Sequence, residues 1–202
     1  MFLTSHYSRV LILLALSTAL LLSSLPTRVH SCHQSSGQSL TTAAALNLIY
    51  RQKYNDAITW LEEIREREPG NIEAQTLMAT ANLYQSLDYG KAQKDFEEAF
   101  KAGGGATFFV SHSHELVNSD DVVDYCRGWL HLRRDSIEYV PIDGTHGFKV
   151  TFSQVEEFKR NRLTKRLFHI KFAGKSQNFR GRSNTETEAL LIVALYNRFT
   201  RN

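Results

Sequence analysis

Cysteine, methionine and proline are scarce in this sequence of 202 residues, which contains two, two and three of them. The two cysteines form no Cys-x-x-Cys pair, so the ligand spacing typical of a structural zinc site is missing. No serine lies in a nucleophile elbow, and no glycine-rich phosphate loop follows a predicted strand. We therefore expect a protein that is not an enzyme, with no catalytic residue and no cofactor.

The two cysteines leave two thiol states open. In an exported protein, Cys32 and Cys126 could pair with each other. Alternatively, Cys32 lies in a loose or lipidated tail and Cys126 is a buried, unpaired thiol. We favour the second interpretation because the residues 128–130, Gly-Trp-Leu, are typical of a core strand.

The N-terminal residues 1–31 have the pattern of a secretory signal. Arg9 precedes an apolar run from Val10 to Leu25. The run is short for a membrane span, which takes about 20 apolar residues, but an uncleaved anchor remains the alternative. The small residues before Cys32 suit cleavage there, and Cys32 also resembles the lipid acceptor of bacterial lipoproteins. We expect export to the periplasm or medium, either free or tethered by an uncleaved signal or a lipidated Cys32, with residues 32–42 as a flexible linker.

A repeat of 35 residues occupies residues 43–102. In both copies an aromatic residue is followed by alanine at +3 and a large apolar residue at +7, which is typical of the second helix of a helical hairpin. The matching residues are Tyr54, Ala57 and Leu61 in the first copy, and Tyr89, Ala92 and Phe96 in the second.

The pattern resembles the tetratricopeptide repeat, although the tryptophan-leucine-glycine start of that family is absent. The resemblance implies a groove for a protein or peptide, and an unrelated pair of hairpins is the alternative. Two units are fewer than the three or so that stand alone, so we expect them to pack on the C-terminal domain or on a second copy of the chain. The candidate groove residues, from the first helices, are Asn47, Tyr50, Asn82 and Gln85.

After three glycines at 103–105, the apolar period changes from 3.6 to 2, and we assign residues 106–202 to a β domain. Ser183 or Thr185 is expected to cap a final buried helix. The predicted strands are Thr107–Val110, Trp129–Arg133, Ile137–Val140, Gly147–Phe152, Leu167–Phe172 and Gln177–Arg180.

Antiparallel strands closed by one helix resemble the pleckstrin-homology-like (PH-like) fold, including its bacterial and GRAM-type variants. The fold class is therefore α+β, and a generic sheet covered by one helix is the alternative. Repeats joined to a small sheet in this way resemble a type of exported bacterial protein.

A basic cluster lies between two predicted strands, where we expect a hairpin tip without acidic residues. Such a tip could bind phosphate or an anionic membrane surface, with about 1 kcal/mol per cation near the bilayer, and some PH-like domains bind phosphoinositides through such loops. A solvated loop, or a face that docks on the acidic repeats, is the alternative. No aromatic residue interleaves to stack on bases, and we expect no nucleic acid. The cluster comprises Lys159, Arg160, Arg162, Lys165 and Arg166.

The His112-x-His114 pair is the one pattern that resembles metal ligands, because alternate residues of a strand face the same way. His131 and Cys126 could complete such a site. However, residues 111–124 are typical of a polar loop, so we expect hydrogen-bonded or exposed histidines and no metal. The leading hypothesis is an exported adaptor that binds a protein through its repeats and could form a homo-oligomer. Peripheral membrane or anion binding by the basic domain is the alternative.

Overall fold

The computed structural model describes residues 41–113, 125–142 and 146–201. The predicted signal, Cys32, His114 and most of the predicted linker lie outside these residues. No helix in the described ranges is long and apolar enough to cross a membrane. The helices and strands are α1 (Thr42–Tyr50), α2 (Tyr54–Arg67), α3 (Ile72–Ser86), α4 (Tyr89–Lys101), β1 (Ala106–Ser113), β2 (Tyr125–Leu132), β3 (Ser136–Pro141), β4 (Phe148–Thr151), a 3₁₀ turn (Phe152–Gln154), β5 (Val155–Arg160), β6 (Leu167–Phe172), β7 (Lys175–Gly181) and α5 (Glu186–Phe199).

This order confirms the predicted α+β class: helices come first, antiparallel strands follow and one helix ends the domain. The two copies of the repeat also correspond in burial. Ala57 and Ala92 are 0% and 2% exposed, and Leu61 and Phe96 are both fully buried. Equal spacing along two helices has placed equivalent side chains in the same core.

Short polar side chains begin the helices of the hairpins. The Asn71 side chain accepts a hydrogen bond from the backbone nitrogen of Ala74 at 2.9 Å, and Asp88 accepts one from Lys91 at the same distance. These bonds satisfy backbone donors that have no partner within the first turn of a helix. The residues at which these two helices begin are therefore set by interactions within the first turn of each helix.

The strands form one antiparallel sheet in the order β4-β3-β2-β1-β7-β6-β5. β4 and β5 are at opposite edges, yet only the 3₁₀ turn separates them in the chain. Because so short a connection spans about 14 Å at most, the sheet must curl until its edges approach. Across the interior, Phe148 packs against Phe172 with ring centroids 4.7 Å apart, and Tyr139 packs against Phe179 at 5.3 Å.

The helical hairpins pack on the outer face of β1. The Thr80 hydroxyl donates to the carbonyl of Thr107 at 2.9 Å, and the backbone nitrogen of Phe109 donates to the hydroxyl of Tyr84 at 2.9 Å. Helix and strand residues belong to a single hydrophobic core. We expected the hairpins to pack either on the C-terminal domain or on a second copy of the chain. In this structure they pack on the C-terminal domain.

Three details differ from the predicted strands. β5 was not predicted, because Glu156 and Glu157 interrupt its alternation at a β-bulge. Phe152 belongs to the 3₁₀ turn and not to β4. β1 continues to Ser113, so the first residues of the predicted polar loop are part of the sheet, where they pair with β2 and β7.

Candidate functional site: the β5–β6 hairpin tip

The turn between β5 and β6 is closed by its own hydrogen bonds. The Asn161 side chain accepts from the backbone nitrogens of Leu163 at 2.9 Å and Thr164 at 3.2 Å. The backbone nitrogen of Leu167 donates to the carbonyl of Thr164 at 2.8 Å. Asparagine commonly organises turns in this way. The tip, defined here as residues 161–166, therefore presents its side chains from an ordered support.

The structure divides the five predicted cations into two groups. Lys159 and Arg160 belong to β5 and not to the tip, and each forms an ion pair, with Glu157 and Glu186 respectively. The cluster has no acidic residue of its own, but these two cations are paired with carboxylates from outside it. The remaining cations are exposed and form no ion pair with any residue that the structure describes; they are Arg162, Lys165 and Arg166.

Leu163 is 95% exposed and lies among these three cations. Other large apolar side chains with notable exposure in the described ranges reach 50% at most. The sequence analysis did not select Leu163, although an apolar residue inside a basic run is a signal that can be read from the sequence. The tip thus combines one projecting apolar side chain with local positive charge.

The Glu157 carboxylate on β5 also binds the imidazole of His169, with Nε2 2.8 Å from the carboxylate oxygen. Hydrogen bonds from Lys159 and His169 lower the pKa of Glu157 to about 2. This carboxylate therefore stays ionised at neutral pH and holds Lys159 on the strand. The charge available to a partner comes from the tip itself.

The four candidate groove residues have different surroundings. Tyr50 packs against Phe109 of β1 at 5.5 Å, while Asn47 is exposed on α1. Asn82 lines a cleft with residues of α2 and α4, and Gln85 hydrogen-bonds to Asn55. Tyr50 contacts Phe109 because β1 packs against the first helices of the two hairpins. A bound peptide would contact these helices in the predicted groove.

A buried polar cluster joins the hairpins to α5. Glu188 is fully buried and accepts hydrogen bonds from the backbone and hydroxyl of Ser183 and, at 3.3 Å, from Tyr84. Burial raises the pKa of Glu188 and raises the pKa of Tyr84 well above its usual value. The Arg182 guanidinium lies 5.1 Å from the ring centroid of Phe109. Sequence reasoning assigned Glu188 only to the first turn of the helix, and its burial depends on distant elements.

His112, the described member of the predicted histidine pair, is held by hydrogen bonds in the sheet. His112 is 3% exposed; its Nε2 lies 2.7 Å from the Gln177 side-chain oxygen and its Nδ1 lies 3.5 Å from the Cys126 sulfur. His131 is opposite Thr107 instead, five residues further along β2 than Cys126. Within the described ranges, no three His, Cys, Asp or Glu side chains are grouped so as to hold a metal ion.

Comparisons with known proteins found no matching family model and no matching curated protein. The solved structures that are similar to parts of the chain include the following two. One is the N-terminal PH domain of human ARAP2, with a TM-score of 0.37 and 10% identity, covering 47% of this chain and 77% of that one. The other is the C-terminal domain of an unknown protein from Leishmania infantum, with a TM-score of 0.34 and 10% identity, covering 53% and 95%.

Proposed function

We propose that this chain is an exported, non-enzymatic binding protein that docks on an anionic membrane surface through the β5–β6 tip. The observation that carries the proposal is the 95% exposure of Leu163 between cations that form no ion pair with any described residue. An exposed leucine gains free energy by entering an apolar phase, and the surrounding cations gain it near anionic headgroups. An anionic bilayer has anionic headgroups directly beside its apolar interior, so the leucine and the cations of one hairpin tip can contact it together.

The magnitudes indicate a weak, reversible contact. Three cations contribute about 3 kcal/mol near an anionic bilayer, and burial of one leucine contributes about 2 kcal/mol. Their sum of about 5 kcal/mol corresponds to a dissociation constant of about 0.2 mM. Stable attachment takes a second signal, which we assign to the N-terminal segment, either as an uncleaved anchor or through lipidation of Cys32.

The vesicle experiment uses residues 39–202, which form one compact unit without the predicted signal. Sedimentation with vesicles of 30–40% phosphatidylserine is compared with neutral phosphatidylcholine vesicles. We expect binding to the anionic vesicles only, loss of it in the charge-reversed variant Arg162→Glu/Lys165→Glu/Arg166→Glu, and about thirtyfold weaker binding in Leu163→Ser.

A matched control reverses three exposed charges elsewhere, Arg51→Glu/Lys53→Glu/Lys94→Glu, and has the same net charge as the first variant. We expect this control to retain more vesicle binding than the tip variant. Equal loss in both variants would reduce the effect to net charge, and binding unaffected by the tip variant would exclude the tip as the docking site.

Protein binding by the hairpins is the second candidate, in keeping with the tetratricopeptide-like repeat. The observation in its favour is an open cleft of about 190 Å³ among α2, α3 and α4, which includes Asn82 together with the charged side chains of Arg65 and Glu98. Asn82→Arg would fill this cleft. If this is the adaptor site, proteins cross-linked to the wild type in its native host should be absent from the variant, while vesicle binding stays unchanged.

A further inference from the structure

A second cleft lies where α4 and α5 end beside the turn between β2 and β3. Its volume is about 350 Å³, which is within the usual range of small-molecule pockets of about 300–1,000 Å³. None of the described residues that line this cleft belongs to the β5–β6 tip. The lining comprises Glu97, Phe100, Lys101, Arg134, Arg198 and Phe199.

The cleft has an aromatic wall. Phe100 of α4 and Phe199 of α5 are stacked, with ring centroids 3.8 Å apart and planes inclined by 7°. Phe199 is 2% exposed, whereas Phe100 is half-buried and supplies the accessible part of the wall. A half-buried ring supported from behind by a second ring is a rigid apolar surface on which a flat or branched ligand can pack.

Positive charge is in excess around this wall. Lys101, Arg134 and Arg198 are all exposed, and the one lining carboxylate is Glu97. Oε2 of Glu97 lies 3.9 Å from Nη2 of Arg198, and Oε1 of Glu97 accepts a hydrogen bond from the Gln93 side chain at 3.0 Å. Glu97 therefore offsets part of the charge of Arg198 and leaves the other two cations to face the opening.

Helix ends account for only part of this charge. Lys101 and Arg198 lie in the last turns of α4 and α5, where a cation is favoured by the helix dipole. Arg134 belongs to neither helix, since it follows β2 in the turn to β3. The helix dipoles therefore explain the positions of Lys101 and Arg198, but they do not explain why Arg134 lies beside them.

We propose that this cleft binds a small organic anion: its apolar or aromatic body packs on Phe100, and its carboxylate or phosphate binds Arg134 and Lys101. Arginine donates two parallel hydrogen bonds to such groups, and the adjacent ammonium adds a third charge-assisted donor. The apolar body distinguishes this ligand from inorganic anions, because the ring wall contributes only when an apolar surface covers it. The proposal does not depend on membrane docking by the tip.

The test is isothermal titration of the full chain with four probes: 1-naphthoate, phenyl phosphate, inorganic phosphate and benzyl alcohol. We expect saturable binding of one or both aromatic anions and at least tenfold weaker binding of inorganic phosphate and of the neutral alcohol. The preferred headgroup follows from the ratio of naphthoate to phenyl phosphate affinity. Failure of both aromatic anions to bind would overturn the proposal, as would equal affinity for inorganic phosphate.

Variants assign the binding to the cleft. Arg134→Gln should weaken binding of the aromatic anion at least tenfold, because it removes a pair of charge-assisted hydrogen bonds. The matched control is Arg133→Gln, which removes the same charge one residue away, where Arg133 pairs with Glu138 at 3.2 Å. Phe100→Leu should weaken the aromatic anions and leave any binding of inorganic phosphate unchanged. Equal effects of Arg134→Gln and Arg133→Gln would place the binding elsewhere and overturn the assignment.

Discussion

His131 is a half-buried imidazole whose protonation opposes folding. Burial, followed by the positive charge of Arg133, lowers its pKa from 6.5 to about 4. In the folded chain its Nδ1 lies 3.0 Å from the Thr107 hydroxyl on the neighbouring strand. The imidazole is therefore neutral in the sheet at a pH where the unfolded chain would already protonate it.

We expect this residue to make stability depend on pH in a defined window. Its contribution is fully present above pH 6.5 and is lost as the pH falls toward 4, because the unfolded state then binds the proton first. The loss is on the order of 3 kcal/mol. Chemical denaturation at several pH values should show a shallower decline between pH 6.5 and 4 in His131→Gln than in the wild type. An identical slope in the two proteins would contradict the assignment.

Leu163 and Glu188 show at the same scale how residue type and environment can disagree. Leucine is usually buried and glutamate exposed, yet Leu163 is 95% exposed and Glu188 is fully buried. Each departs from the rule for a separate reason. Leu163 is at the tip of a hairpin with no packed neighbour, whereas Glu188 receives hydrogen bonds from Ser183 and Tyr84 that partly replace its hydration.

At the scale of elements, the connection from α4 to β1 depends on a glycine with no room for a side chain. A Cβ at Gly105 would lie 2.0 Å from the carbonyl oxygen of Leu132, a backbone atom of β2 that cannot move without breaking the sheet. At Gly70, in the turn between α2 and α3, a Cβ would meet nothing within 4 Å. The two glycines therefore differ in the space around them.

Gly105→Ala should lower the free energy of unfolding by about 1–3 kcal/mol, the usual cost of inserting atoms into a packed region. Gly70→Ala is the matched control and should change it by less than about 1 kcal/mol, since the added methyl group meets no neighbour. Urea denaturation of both variants gives the comparison. A similar effect of the two substitutions would show that the close approach of β1 to Leu132 is not maintained in solution.

The strands show why some elements could be predicted and others could not. β6 begins and ends at the predicted residues because Phe168, Ile170 and Phe172 alternate without interruption. β5 has two adjacent glutamates and a bulge, so its pairing with β6 is visible only when both strands are present. Local periodicity predicts a strand where one face is uniformly apolar, and it fails where a charged edge strand is held by its neighbour.

At the scale of the whole molecule, the hairpins and the sheet share one core. Tyr84 on α3 bonds to the backbone of β1 and to Glu188 on α5, so one side chain links the helical pair, the sheet and the closing helix. Phe96 of α4 also packs on Phe108 of β1 with centroids 5.1 Å apart. Two parts joined through buried contacts of this kind should unfold together.

The two tryptophans of the chain can test this, because Trp60 lies in α2 and Trp129 lies in β2. In Trp60→Phe, fluorescence reports on the sheet, while far-ultraviolet circular dichroism of the same sample is dominated by the helices. We expect both signals to change at the same urea concentration, since coincident transitions indicate a two-state process. Separate midpoints would mean that the hairpins and the sheet are independent domains. Trp129→Phe gives the reciprocal comparison.

The sequence by itself determined the helical hairpins, because their burial pattern depends on residues three and four apart. Tyr54 and Tyr89 begin helices at equivalent places, and Ala57 and Ala92 are buried as the repeat predicts. It also determined the change to strands after the three glycines at 103–105. The hairpins and the change to strands both depend on interactions between residues that are close in the sequence, within a few helical turns or one strand.

Only the tertiary structure decided which surfaces remain available. β1 packs on α1 and α3, so the Tyr50 ring contacts Phe109. The stacking of Phe100 on Phe199 joins residues 99 positions apart in the chain, and Arg134 reaches the same cleft from a turn between two strands. Such contacts follow from how whole elements pack, and no local periodicity in the sequence specifies them.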